Sequence, residues 1–225
     1  MNRKTGDLIE SIPKDAYFII IVGDKETPHI MNGEHESRSA VSPNTGLPLL
    51  RLLEIESTSF LIPGPKCIAL YYEWVSGISE GPFSYRMLDE GAVEILSLQR
   101  GKQSTDFPYK NYPNHFPKQF VEMQKMSGDE QRTIIAMNSG EVDPHSLRRS
   151  SPHLAMPIHQ LGGIPYGAPE FETCICPQCR EEMKFLASIG DDAGSGCVYV
   201  DNSFVSVIFQ YCVKCAIITA FNICD

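Results

Sequence analysis

The chain has 225 residues, 42% of them hydrophobic, and a formal net charge of −9. That size supports one large core or two modest ones, and the composition excludes disordered and fibrous classes. The acidic balance excludes a broad electrostatic footprint for nucleic acid, because the densest basic clusters are only Arg148-Arg149 and Arg3-Lys4.

The elements follow in chain order. The N-terminal Met1 to Asp7 lacks the apolar stretch and cleavage site of a secretory signal, and no apolar run reaches bilayer length, so a cytoplasmic protein is expected. Lys14 to Gly23 reads as a strand, and the continuous apolar run Tyr17 to Val22 predicts burial on both of its faces. Pro48 to Ile55, Cys67 to Val75 and Gly91 to Gln99 read as further strands. Pro117 to Met126 follows a proline-rich loop, and Phe120, Met123 and Met126 predict a short helix. Residues 141–157 carry Pro144, Pro152 and several serines without periodicity, and read as a surface linker. Beyond it, strands are predicted at Met183 to Ile189, Val198 to Val200, Phe204 to Tyr211 and Ala216 to Ile223.

The two parts of the chain resemble each other. His29-Ile-Met-Asn-Gly33 matches His159-Gln-Leu-Gly-Gly163. Ser42-Pro-Asn-Thr45 and the strand after it match Cys176-Pro-Gln-Cys179 and Met183 to Ile189. Tyr71 to Gly77 can be laid on Phe209 to Cys215. The order is the same throughout, which suggests an internal duplication. The expected fold is therefore β-rich α+β with two similar lobes: residues 1–140 as an N-terminal lobe without zinc ligands, 141–157 as linker, and 158–225 as a C-terminal lobe. On this alignment Ser42, Thr45, Trp74 and Gly77 stand where the second lobe has four cysteines, and the Trp74 indole would fill the space of a metal ion.

Seven of the eight cysteines lie after residue 173. In a reducing compartment such clustering points to metal, not to a disulfide framework. Cys176-x-x-Cys179 and Cys212-x-x-Cys215 are two knuckles, each beside predicted strand, with 32 residues between them. That is longer than the roughly 15 to 20 residues of an ordinary ribbon, but the intervening strands can fold back. Two Cys-x-x-Cys turns supply the four thiolates that tetrahedral zinc prefers, so Cys176, Cys179, Cys212 and Cys215 are the predicted ligands of a structural, zinc-ribbon-like site. Cys174 or Cys197 is the alternative for one of them; Cys67, Cys197 and Cys224 otherwise read as small buried apolar residues.

No catalytic residue is predicted. A closed four-thiolate site leaves zinc no position for substrate. His35-Glu36 does not continue into His-Glu-x-x-His, and no P-loop, dinucleotide or nucleophile-elbow motif is present. His159 is expected to bond backbone within a rigid Gly-Gly-x-Pro turn, though an unrecognised site centred on His159 or His29 is the enzymatic alternative.

His159-Gln-Leu-Gly-Gly-Ile-Pro165, Cys176-Pro-Gln-Cys179 and Met183-Lys-Phe-Leu186 together resemble the YwqG-like bacterial family and the related C-terminal domain of programmed cell death protein 2. The resemblance spans roughly the last 70 residues. It implies a duplicated β-rich fold and roles in protein binding, either immunity-like neutralisation of a toxin or chaperoning. Tyr166-Gly-Ala-Pro169 departs from the family's usual aromatic-Gln ending at that turn. The expected partner is another protein, with a basic surface to suit the acidic chain. The alternative is a regulator binding nucleic acid or a small molecule through the zinc lobe, supported if Arg180, Lys184 and Lys214 form a basic patch.

Overall fold

Tyr17–Ile21 (β1) is an interior strand of the sheet. In the computed structural model, which describes residues 10–34, 41–43, 46, 48–72, 82–88, 93–97, 115–154, 158–167, 172–191 and 205–224, this strand pairs with neighbours on both edges. Its side chains alternate between two layers, as strand geometry requires. Ile19 enters the main core, with Tyr17 and Ile21 packed against it, and Phe18 points to the opposite face with Ile20 beside it. The predicted burial on both faces is thus met by two different layers.

The strands are β1, Ile30–Met31 (β2), Leu50–Glu56 (β3), Cys67–Tyr72 (β4), Phe83–Met87 (β5), Val93–Ser97 (β6), Gln119–Lys125 (β7), Gln160–Leu161 (β8), Lys184–Gly190 (β9), Val205–Cys212 (β10) and Ile217–Cys224 (β11). They form one sheet in the order β4-β3-β2-β7-β1-β8-β9-β10-β11-β5-β6, and every pairing is antiparallel. The sheet curls into a half-barrel around a core that includes Leu52, Leu53, Ile55, Tyr71, Phe83, Tyr85, Phe209 and Tyr211.

Gly128–Asn138 (α1) covers the other face of β1. Ser127 caps it: the Ser127 hydroxyl accepts the Glu130 N–H, and the Glu130 carboxylate accepts the Ser127 N–H at 2.7 Å. This reciprocal pair satisfies two of the helix's otherwise orphaned donors. Ile134 and Met137 of α1 then bury against Phe18, Ala16 and Met126.

Three expectations change. Pro117 to Met126 is not a helix; its central part is strand β7, held between β1 and β2. The helix starts just after it, at the Ser127–Glu130 box. The segment read as a linker holds short helical turns at Pro144–Ser146, Leu147–Ser150 (α2) and Pro152–Leu154. Leu154 from it is buried in the α1 layer.

The third change concerns the lobes. The chain is mostly β, but its two parts do not make two separate sheets. β1, from the N-terminus, lies beside β8, and β5 and β6 add onto β11. The strands of 158–225 are therefore flanked on both sides by strands of 1–140.

Local pairings nevertheless correspond between the two parts of the chain. Ile30 faces Glu54 and Phe120 on its two sides; Gln160 faces Ser188 and Phe18. The Asn32 N–H donates to the Leu52 carbonyl at 3.2 Å, and the Gly162 N–H to Leu186 at 2.8 Å. Val41 bridges Pro48 as Ile175 bridges Glu182. The third segment is displaced by one residue from the sequence alignment: Leu53 faces Leu70 as Ala187 faces Phe209, so Tyr72 matches Tyr211. By count Glu73, not Trp74, then matches Cys212. Thr45, Glu73, Trp74 and Gly77 lie outside the described residues, as do Cys197 and the predicted strand at Val198 to Val200.

Candidate metal centre

Each Cys-x-x-Cys turn is built by the backbone around it. Cys176 lies just after the Ile175–Glu182 bridge begins; its N–H donates to the Glu181 carbonyl at 2.9 Å, and its own carbonyl accepts the Arg180 N–H at 3.1 Å. Cys212 ends β10, its carbonyl accepts the Cys215 N–H at 3.3 Å, and β11 leaves from Ile217, which faces Cys212. In both turns the residue after the second cysteine is left-handed: Arg180 at φ 65° and Ala216 at φ 53°. That reversal lets the chain turn back within one residue, so that both sulfurs of a knuckle point the same way. An L-residue pays roughly 1–2 kcal/mol for this conformation, which the surrounding pairing must offset.

The four sulfurs of Cys176, Cys179, Cys212 and Cys215 lie within 4.8 Å of one another. Cys179 Sγ and Cys212 Sγ are 3.5 Å apart, and all four residues are free thiols. Four thiolates about 2.3 Å from a central ion would stand roughly 3.8 Å apart in a tetrahedron, so the donor set and its spacing fit a single metal ion. Cys176 and Cys212 are buried, at 0% and 3% exposure, while Cys179 and Cys215 are partly exposed. Met183, Ile217 and Leu96 pack around them.

The electrostatics favour a bound cation. Burial opposes charge on Cys176, but the N–H groups of Cys179 and Gln178, together with the thiols of Cys212 and Cys179, outweigh that and pull it below its ordinary value. With Cys176 ionised, Cys212 is held protonated, first by burial and then by its contact with Cys176. Burial also pushes Cys215 up. A bound cation would favour the thiolate form of these sulfurs.

Cys174 packs against the cluster but is not one of the four; its N–H donates to Gln210 Oε1 at 2.7 Å, and burial pushes its thiol up to about 11. Cys67 is half-buried and pushed up to about 12, mainly by burial and by Glu54.

His29 and His159, the residues weighed for catalysis, do not meet. His29 Nδ1 accepts the Glu56 N–H at 3.3 Å, and His159 Nδ1 accepts the Gly190 N–H at 3.1 Å. Each thus ties a short strand to the end of the next one, β2 to β3 and β8 to β9. In the turn after His159, the Gln160 amide donates to the carbonyls of Gly162 and Ile164 at 2.7 and 2.9 Å. His35 lies outside the described residues.

Ser42 and Gly46 in the first half make the backbone contact that Cys176 and Arg180 make in the second. Gly46 N–H donates to the Ser42 carbonyl at 2.8 Å, as Arg180 does to Cys176, and Gly46 is left-handed at φ 70°. Ser42 is buried at 2% exposure. The left-handed residue after each knuckle escaped the sequence reading, although Gly46 signals it in the first half.

No protein-family model matches the chain, and no curated protein matches it. No helix among the described residues is long and apolar enough to cross a membrane.

Proposed function

We propose that this chain is a non-catalytic, zinc-stabilised protein-binding module that acts in an immunity-like or chaperone-like way. The observation that carries the reading is the convergence of four sulfurs within 4.8 Å. Zinc is the metal these ligands suit best, because it accepts four thiolates in a tetrahedron, and such a shell leaves no site for water or substrate. The ion would hold the Cys176 and Cys212 knuckles together and so stabilise the ends of β9, β10 and β11, in the manner of a zinc ribbon.

The net charge of −9 suits a partner with a basic surface. The regulator alternative needed a basic patch at the zinc lobe. Instead Lys214 pairs with Glu181 at 2.7 Å and Lys184 with Glu10 at 2.8 Å, which favours a protein partner over nucleic acid. The toxin-neutralising or chaperone role rests on the resemblance to the YwqG-like family and its relatives. A cytoplasmic setting, where thiols stay reduced, accompanies this reading.

Elemental analysis of untagged protein is expected to return one zinc per chain, with X-ray absorption showing a shell of sulfur alone. Native mass spectrometry of protein drawn gently from its host is expected to show a stoichiometric complex with a second, basic protein. Purification of the chain alone across salt and growth conditions would overturn the partner half of the proposal.

A further inference from the structure

β5 and β6 come from the first part of the chain but dock on β11, and four contacts tie them to the two knuckles. The Met87 N–H donates to the carbonyl of Ala216, the left-handed residue after Cys215, at 3.3 Å. The Arg86 guanidinium donates to the Gln178 side-chain carbonyl inside the first knuckle, and to Glu94 of β6 at 2.9 Å. Leu96 of β6 packs on the cluster of Cys176, Met183, Cys212 and Ile217. Ser84 Oγ and Thr219 Oγ1 lie 2.7 Å apart, and Thr219 also reaches Met183 Sδ at 3.3 Å.

These two strands, a strap across the sheet, also hold its far edge. Among the described residues β4 has a strand partner only on its β3 side. Along its other side, the Tyr85 hydroxyl accepts the Tyr71 N–H at 2.9 Å and donates to the Ala69 carbonyl at 3.0 Å. One phenol thus does for β4 what a neighbouring strand would do. β5 therefore joins β11, beside the cysteines, to β4, at the opposite end of the strand order.

We propose that the metal centre is a clasp that governs whether β5 and β6 stay docked across the curled sheet; this rests on the metal-centre reading above. With the ion bound, Gln178 and Ala216 are fixed in the geometry that Arg86 and Met87 require. Without it the two knuckles lose their common anchor, β5 and β6 release, and the main-chain edges of β4 and β11 are uncovered. Linkage makes the effect reciprocal: if metal holds the strap, the strap must also hold the metal.

Hydrogen exchange on the full chain tests this, comparing zinc-loaded protein with chelator-treated protein whose metal loss is confirmed by elemental analysis. Peptides covering 82–88, 93–97 and 67–72 are expected to exchange at least about tenfold faster without metal, while β1 and β7 keep their protection. Unchanged exchange there, with faster exchange only at 172–184, overturns the clasp and leaves the metal centre standing. Protein that takes up no zinc overturns both.

If chelation unfolds the whole chain, the reciprocal arm decides. The zinc-loaded double variant Arg86→Ala/Leu96→Ala is expected to retain one metal per chain and to bind it on the order of 5- to 10-fold more weakly than wild type in equilibrium competition with a chelator. An unchanged affinity overturns the proposal.

Discussion

Leu52 and Leu186 are the extra residues of two matching β-bulges. The β3–β4 register slips between Arg51 and Leu53, and the β9–β10 register slips between Phe185 and Ala187. Both leucines are fully buried and belong to the same core. A bulge twists and bends its strand, so the same device curls both halves of the sheet around one interior. Deletion of Leu52 or of Leu186 should remove the slip while leaving the flanking pairs and faces in place, so what is lost is the local bend and one buried leucine. Each deletion is expected to cost on the order of 3 kcal/mol or more in denaturant unfolding.

Cys176→Ser and Cys212→Ser should each abolish metal binding and weaken the protein severely. Both side chains are buried at the cluster, and a structural metal supplies folding free energy directly. Metal content is expected to fall from one per chain to near zero, with Tm dropping by on the order of 10 °C or more. Cys67→Ser, remote from the cluster, is expected to keep the metal.

Tyr85→Phe leaves the ring in place and deletes the hydroxyl that serves Tyr71 and Ala69. Two buried backbone groups then lose their partner, at about 1–3 kcal/mol each. Denaturant unfolding is expected to show a loss of about 3 kcal/mol with an unchanged m-value.

Gly163→Ala tests the turn that follows β8. Gly163 has φ 68°, and a Cβ there would lie 2.2 Å from the Ala16 Cβ. Gly23 has a similar φ of 65° but open space around it. Gly23→Ala should cost about 1 kcal/mol, from backbone strain alone. Gly163→Ala should cost about 4 kcal/mol or more, because β1 must move as well. Parallel urea titrations separate the two.

Acid should destabilise the protein in two stages. Burial disfavours the imidazolium of His29 and lowers its pKa, with Glu56 opposing only in part. A base with a depressed folded pKa contributes stability above its ordinary value of 6.5 and loses it as the pH falls. Glu130 follows at lower pH. Burial pushes it up, but the Ser127 N–H and hydroxyl and His153 together hold it below 4.5, so its contribution is present above that value and lost beneath it. His29→Gln is expected to flatten the dependence of unfolding free energy on pH between about 7 and 5, and Glu130→Gln the part below about 4.5.

The sequence by itself carried whatever depends on neighbours along the chain. Two Cys-x-x-Cys turns are local, so Cys176, Cys179, Cys212 and Cys215 could be named as a set before their convergence was visible. The strand character of Tyr17–Ile21, Leu50–Glu56 and Lys184–Gly190 follows from short apolar runs. Even the missed helix had a local signal, in Ser127 and Glu130.

Tertiary structure alone decided how these pieces pair. Gln119–Lys125 has a pattern compatible with helix, and it is a strand because β1 and β2 offer hydrogen bonds on both of its edges. Nothing near Phe83 in the sequence announces that β5 will pair with β11, more than a hundred residues away. Pairing between distant strands is settled by which edges are left open and which faces must be buried. Those are properties of the assembled sheet, and no segment of the chain carries them alone.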